Sequence, residues 1–425
     1  MMSLTQGLVN LIRSKPVTQD DLDAAAYFTL DAVANAIGGR STEPGKKLLA
    51  WSKDNSGDAG RRALVMGGLT HILEVDDLHR ASVVHPGCIV IPAAFALSKG
   101  DGTDFLTAVL HGFEATCRVG MAVGKEHYKI WHSTATCGPF GSAMAGAHLL
   151  GLSDEQAVDA LGNAGTQSAG LWQFMDTGAM SKHLHAGRGA EAGVVAAQLA
   201  ELGFTGPPEI LEGAQGLFAG ACPDPDPDAV LRDPDHRWQV HEASIKPWPS
   251  CRHTHPAIDA ALELSVQIPN PNMIAGVGVE TYQAAMDVCN RPDPQSVYEA
   301  KFSLHHTVAA ALSDGRVDFD SFEADSRVRL SELRTKIMPA AEEPFVSAYP
   351  KDWGTMVEVV LQDATKLRAS RQFCKGDPEA PLSLDDLRAK AKMLMALGGH
   401  KNPDHLIDAT LNMAQQGAVP DLSLF

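Results

Sequence analysis

The sequence contains no apolar run long enough to cross a membrane, no block of basic residues and no closely spaced pair of cysteines. The first residues also lack the basic start, apolar core and cleavage site of a signal peptide, so we expect a cytoplasmic protein with no membrane partner. The seven cysteines include no Cys-x-x-Cys pair, which is typical of reduced thiols. The formal net charge is −17 and the lysines and arginines are scattered, so nucleic acid is not an expected partner.

The length and texture of the chain predict two domains. At 425 residues it exceeds the usual limit of a single hydrophobic core. Segments with helical spacing, rich in alanine and glycine, fill the first half, and the chain returns to a helical pattern at its end. Between them lie β-branched, partly alternating segments: MIAGVGVETY, and GTMVEVVLQDATKLRASRQF, which predicts a hairpin turning at 363–365. The stretch that separates these two segments predicts two helices.

We therefore predict a mainly α fold with a discontinuous large domain. Residues 1–267 and 393–425 form an all-helical domain, and residues 268–392 form a smaller, inserted α+β domain. Ser153 followed by Gln156 is a capping box that predicts one helix start within the large domain. A cleft between two such domains is a usual place for a small-molecule site.

Four segments place polar side chains among small or apolar residues. They are EVDDLHRASVVHPG, which leads into an apolar helix whose N-terminal amides favour anions, IWHSTATCGPFG, GAMSKHLHAGRGAEAG and IKPWPSCRHTHP. Their candidate functional residues are Glu74, Asp76, Asp77, His79, His85, Trp131, His132, Lys182, His183, His185, Arg188, Lys246, Cys251, Arg252, His253 and His255. We find no Walker loop and no dinucleotide fingerprint.

Two interpretations of the histidines compete. His183 with His185, and His253 with His255, are His-x-His pairs, which on a strand would present both rings on one face as metal ligands of a hydrolase. Alternatively, the segments line a polyanion pocket in which lysines hold carboxylates and histidines transfer protons near neutral pH. A binding protein without catalysis is less expected, because binding alone does not require histidines interleaved with lysines.

Seven motifs, in order and over nearly the whole chain, resemble those of the MmgE/PrpD family. They include HGFEATCRVG, WHSTATCGPFGSA, SKHLHAGRGAEAGVVAAQLAELGF, KPWPSCRHTHPAIDAAL, KFSLHHTVAAALSDG and GDPEAPLS, and an Asp-Asp pair followed by His-Pro-Gly. This family includes 2-methylcitrate dehydratase, cis-aconitate decarboxylase and iminodisuccinate epimerase. The resemblance implies a helical domain with a smaller α+β lid, a homodimer, and neither a metal nor an organic cofactor.

The resemblance also implies cleft residues at six positions, which are Asp76, Asp77, His85, His132, Lys182 and Lys246. The residues expected to be catalytic are His132, His85, Asp76, Asp77 and His306, and those expected to bind substrate are Lys182, Lys246, His185 and Arg252. For His183, His185 and Arg188, positioning Lys182 and capping helices are expected more than catalysis. Two positions depart from the family pattern: Glu74 replaces an aspartate used in the decarboxylase branch, and His306 replaces a tyrosine.

These residues predict a lyase that needs no cofactor and acts on a small hydroxy di- or tricarboxylic acid. Removing a proton next to a carboxylate produces a carbanion that fixed cations stabilise as it forms. We expect dehydration of the 2-methylcitrate type. An epimerase or decarboxylase of a related acid is the alternative within the family, and a metal-dependent hydrolase is the alternative outside it.

Overall fold

The computed structural model describes residues 2–53 and 57–421. Helix accounts for 59% of the chain and strand for 8%, which confirms the mainly α fold. The described residues form two compact units. The first runs up to Ile245 and resumes at Ser383, and the second runs from Lys246 to Leu382.

Up to Ile245 the first unit consists mostly of helices joined by short loops. The helices are α1 (Leu4–Ser14), α2 (Gln19–Gly39), α3 (Glu43–Ser52), α4 (Ala59–His71), α5 (Gly87–Leu97), α6 (Gly102–Ala122), α7 (Lys125–Tyr128), α8 (Ser133–Leu149), α9 (Asp154–Gly165), α10 (Ser181–Glu201) and α11 (Leu217–Ala221). Two short strands, β1 (Leu78–His79) and β2 (Ala243–Ser244), pair antiparallel. The predicted capping box is confirmed, since the Ser153 side chain accepts from the Gln156 amide at the start of α9.

Helix α10 lies at the centre of the first unit and packs against α4, α5, α8 and α9. Glycines on α10 allow this close approach. A Cβ atom at Gly193 would lie 2.0 Å from Ser142 Oγ, and one at Gly187 would lie 2.4 Å from the Leu64 carbonyl oxygen. Both distances are far below van der Waals contact, so these positions require glycine. The small residues of the segment GAMSKHLHAGRGAEAG therefore allow Lys182, His183 and His185 to lie close to neighbouring helices.

The second unit combines short helices with one sheet. Its elements are α12 (His255–Ser265), β3 (Ile274–Thr281), α13 (Gln283–Cys289), α14 (Val297–Lys301), α15 (Leu304–Asp314), α16 (Ala324–Arg329), α17 (Ser331–Arg334), β4 (Ile337–Ala341), α18 (Phe345–Ala348), β5 (Thr355–Leu361) and β6 (Lys366–Arg371). The strand order is β4-β3-β5-β6, with β3 and β4 parallel and the other neighbours antiparallel.

The sheet of the second unit follows the predicted pattern in part. Strand β3 and the β5–β6 hairpin lie where the alternating segments predict them, and the odd-numbered residues of β5 are buried while the even-numbered ones are partly exposed. Strand β4 was not predicted. Helix α12 packs against α15, β5 and β6, so the unit begins at Lys246 and not at the predicted residue 268.

The chain returns to the first unit with α19 (Leu384–Leu397), α20 (Pro403–Leu411) and α21 (Met413–Gln416). Helix α19 packs on α2 and carries a buried lysine. Lys390 pairs with Asp31 and donates to the Val75 carbonyl oxygen at 2.7 Å. The end of the chain therefore supports a loop that lies early in the sequence. Among the described helices, none is both long and apolar enough to cross a membrane.

Buried histidines predict that stability falls in mild acid. His111 stacks on Trp238, and burial, with smaller effects from His148 and Arg13, lowers its pKa to about 3. The unfolded chain takes up this proton near pH 6.5 whereas the folded chain does not, so stability is complete above that pH and declines below it. The His111→Phe variant should lack this contribution to the pH dependence of stability. Between pH 7.5 and pH 5 its unfolding free energy should therefore fall by about 2 kcal/mol less than that of the wild-type protein.

Denaturant titrations at the two pH values measure this difference. His405→Phe, on the exposed surface of α20, is the matched control and should leave the pH dependence unchanged. A wild-type pH dependence in the His111 variant would show that His111 does not resist protonation in the folded protein.

Candidate active site

The acidic residues of the first polar segment lie in a buried loop between α4 and β1, residues 74–77, hereafter the acidic loop. Glu74 has the left-handed backbone conformation, with φ of 62°. The residues Glu74, Asp76 and Asp77 are at most 2% exposed. Because a buried carboxylate is unfavourable without partners, the conformation of this loop depends on what surrounds it.

Glu74 is paired with Lys182, which lies in the first turn of α10. The Lys182 ammonium lies 2.6 Å from each carboxylate oxygen of Glu74, and both side chains are buried. The predicted substrate-binding lysine is therefore held in place by the residue that departs from the family pattern.

Asp77 binds the amino terminus of α5. Its two carboxylate oxygens lie 3.1 and 2.9 Å from the Gly87 amide nitrogen, which donates to them. A Cβ atom at position 87 would lie 2.7 Å from Asp77 Oδ1, so this contact requires glycine. The Asp77 carbonyl oxygen also accepts from His85 Nδ1 at 2.5 Å. The anion expected at this helix terminus is thus supplied by the chain itself, and Asp77 orients His85.

Asp76 lies between two histidines. His71 Nδ1, at the end of α4, lies 2.6 Å from Asp76 Oδ2, and His85 Nδ1 lies 3.5 Å from the same oxygen. The residues expected to be catalytic include His85 and His132 but not His71. Its position shortly before the acidic pair in the sequence was the available signal.

His132 precedes α8, and two backbone hydrogen bonds join the segment before this helix to residues 170–172. The His132 amide donates to the Gly170 carbonyl oxygen at 3.0 Å, and the Trp172 amide donates to the Ile130 carbonyl oxygen at 3.1 Å. The His132 Nδ1 atom lies 3.4 Å from His185 Nδ1, so α10 contributes a second histidine here.

Both rings of this pair are neutral at pH 7. Burial lowers the pKa of His132 well below its usual value, and nearby His71 and Lys182 lower it further. Burial likewise lowers the pKa of His185 to about 4. A neutral histidine has a free ring nitrogen that can accept a proton, whereas a lowered pKa weakens it as a base.

A cavity of about 660 Å³ opens beside His185, walled by α10 and by residues 167–181. Phe174, Leu184 and Arg188 are among its lining residues, and Arg188 also pairs with Glu191. The volume lies within the range of small-molecule sites.

Three buried side chains, including that of Asp76, bring together atoms that could hold a metal ion. His71, Asp76 and Cys88 offer ligand atoms within 4.8 Å of one another. Burial raises the pKa of the Cys88 thiol well above its usual value, and Asp76 and Asp77 raise it further. Without a metal ion nearby, the Cys88 thiol is therefore protonated.

The His-x-His pairs do not lie on strands. His183 and His185 lie on α10, where residues two apart do not face each other. His253 lies in a 3₁₀ turn and His255 begins α12. The arrangement of these pairs therefore does not support the hypothesis of a metal-dependent hydrolase.

The other predicted site residues belong to the second unit. Arg252 Nη2 donates to both oxygens of Asp377, at 2.7 and 2.6 Å, in a buried ion pair. Lys246 is buried and helps to lower the pKa of His253. His306 is fully buried, its Nε2 donates to the Ser321 carbonyl oxygen at 2.7 Å, and burial lowers its pKa to about 4. His306 is therefore neutral across the physiological range.

Comparison with models of known protein families assigns the chain to a family. Models of the MmgE/PrpD N-terminal domain and the MmgE/PrpD C-terminal domain match residues 8–229 and 248–413. The chain belongs to the MmgE/PrpD family. The resemblance predicted from the motifs is thereby confirmed.

Relatives within this family include three cis-aconitate decarboxylases. The protein of Mus musculus is 27% identical over 90% of this chain and 84% of its own length. The protein of Aspergillus terreus is 27% identical over 77% of this chain and 76% of its own length. The protein of Homo sapiens is 27% identical over 77% of this chain and 71% of its own length.

We expect the unfolding free energy to depend on the buried ion pair between Glu74 and Lys182. Glu74→Gln leaves the lysine buried without its counter-charge and should lower the unfolding free energy by about 3 kcal/mol. Adding Lys182→Met to this variant removes the uncompensated charge and should recover a large part of the loss. Denaturant unfolding of both single variants and the double variant measures the coupling.

The exposed pair of Glu126 and Lys129 is the control for this cycle. Its side chains are accessible to water, so Glu126→Gln should produce no measurable change. Additive effects of the Glu74 and Lys182 substitutions would show that the two charges do not depend on each other.

Proposed function

We propose that this protein is a lyase acting on a small di- or tricarboxylic acid. The observation that carries the proposal is a neutral, buried His132 next to His185 and within the electrostatic reach of Lys182. This arrangement combines a proton acceptor with a fixed cation, which proton removal next to a carboxylate requires. Membership of the MmgE/PrpD family supports the same conclusion.

In the proposed reaction His132 takes the proton from the carbon next to a substrate carboxylate. The electron pair left on that carbon delocalises into the carboxylate, whose growing negative charge the Lys182 ammonium stabilises. Glu74 keeps the ammonium in place, so the cation needs little reorganisation during the reaction. His85, whose Nδ1 donates to the Asp77 carbonyl oxygen, enters the reaction doubly protonated and donates its Nε2 proton to the leaving group, which leaves the ring neutral.

Dehydration of a hydroxy acid of the 2-methylcitrate type is the first candidate. In this reaction the carbanion expels the neighbouring hydroxyl group as water, with the proton from His85, and a carbon–carbon double bond forms. The departure at Glu74 favours this reaction over decarboxylation, because the resemblance implies an aspartate at this position in the decarboxylase branch.

Decarboxylation of an unsaturated tricarboxylic acid is the second candidate. It is favoured by the relatives named cis-aconitate decarboxylase, which match most of this chain. Here carbon dioxide leaves, and a histidine returns a proton to the carbon framework. Epimerisation of a related acid needs the same proton removal, followed by return of the proton to the opposite face.

The full-length chain should therefore be incubated with 2-methylcitrate, citrate and cis-aconitate in deuterated water and followed by proton NMR. Loss of water, loss of carbon dioxide and deuterium exchange without net change identify the three reactions. His132→Gln should lower kcat about a hundredfold or more, because it removes the proposed base. His148→Gln, at the other end of the same helix, should leave kcat unchanged. No turnover and no exchange with any of these acids would contradict the proposal.

The proposed role of the Lys182 ammonium can be tested separately. In the Glu74→Gln background, which carries no opposing charge, Lys182→Met should lower kcat/KM a further hundredfold, or about 3 kcal/mol. We also propose, from the resemblance, that Lys246 binds a carboxylate, so Lys246→Met should mainly raise KM. Steady-state kinetics test both, and equal kcat/KM before and after loss of Lys182 would remove it from the mechanism.

A further inference from the structure

His71 lies against both histidines that transfer protons in the proposed function. It is fully buried, and its ring centroid is 4.8 Å from that of His85, edge to face, and 5.6 Å from that of His132, with 22° between the planes. We propose that His71 is a positioning residue, which fixes Asp76 toward His85 and provides the ring against which His132 packs. This inference rests on the proposed function.

The hydrogen bond to Asp76 determines which ring nitrogen of His71 carries a proton. A carboxylate only accepts, so at 2.6 Å it is His71 Nδ1 that donates to Asp76 Oδ2. Nε2 is then unprotonated in the neutral ring, and it has no hydrogen-bond partner among the described residues. An aromatic hydrocarbon ring would fill this position without leaving a buried nitrogen unsatisfied, so packing alone does not account for a histidine here.

Asp76 connects His71 to His85. Its Oδ2 atom lies 3.5 Å from His85 Nδ1, whose proton goes to the Asp77 carbonyl oxygen at 2.5 Å. Without the donor from His71, the buried Asp76 carboxylate would compete for the His85 proton. The His85 ring would then turn away from the Asp77 carbonyl oxygen, and the proposed proton donor would lose its orientation.

Two substitutions separate the hydrogen bond from the ring. His71→Asn retains an N–H group at the position of Nδ1 but removes the ring, whereas His71→Phe retains a ring but removes the donor. If the donor to Asp76 positions the site, the Phe variant should lose about thirtyfold in kcat with little change in KM, and the Asn variant should stay within about fivefold of wild type. Thermal unfolding of each variant first establishes that it is folded.

Two kinetic outcomes would overturn the inference: wild-type kcat in the folded Phe variant, or equal losses of kcat in both folded variants. Nitrogen NMR of isotope-labelled histidines in the wild-type protein provides a second test that requires neither a variant nor turnover. The inference expects His71 protonated at Nδ1, and protonation at Nε2 instead would overturn it. If the wild-type protein converts none of the acids, the proposed function fails while this spectrum still decides whether His71 holds Asp76.

Discussion

The burial of three carboxylates within four consecutive residues is the constraint on which the candidate site depends. Each acidic side chain of the loop is compensated by a different helix: Lys182 of α10 pairs with Glu74, His71 of α4 donates to Asp76, and the first amide of α5 donates to Asp77. The arrangement is therefore not a simple basic pocket in an acidic protein. Lys182 is paired within the loop, and burial lowers the pKa of His132 and of His185, so the chemistry of the candidate site depends on the position of protons more than on an excess of positive charge.

Local patterns in the sequence predicted those parts of the fold that short segments determine by themselves. The alternating residues of β3 and of the β5–β6 hairpin, and the capping box before α9, specify their structures through neighbouring residues. Strand β4 could not be found in this way. It is five residues long, contains Pro339, and is defined by parallel pairing with β3, which lies far away in the sequence.

The candidate site was predictable as a set of segments but not as a set of contacts. Placing His132 and Lys182 together needs only the recognition of the motifs, whereas the role of His71 depends on the turn at Glu74, which brings Asp76 back to the end of α4. The sequence indicated an anion at the start of α5, and the structure shows that Asp77 occupies this place. Such a contact depends on the tertiary arrangement, which neither composition nor spacing contains.

The contact between Lys390 and the Val75 carbonyl oxygen joins residues 315 positions apart. Its consequence lies in the order in which the chain is synthesised. A nascent chain in which α4, α5 and α10 have all emerged from the ribosome still lacks the donor that supports the acidic loop, and Asp31 still lacks its buried counter-charge. The candidate site can therefore be completed only after translation has passed through the whole second unit, because the last helices of the first unit supply Lys390.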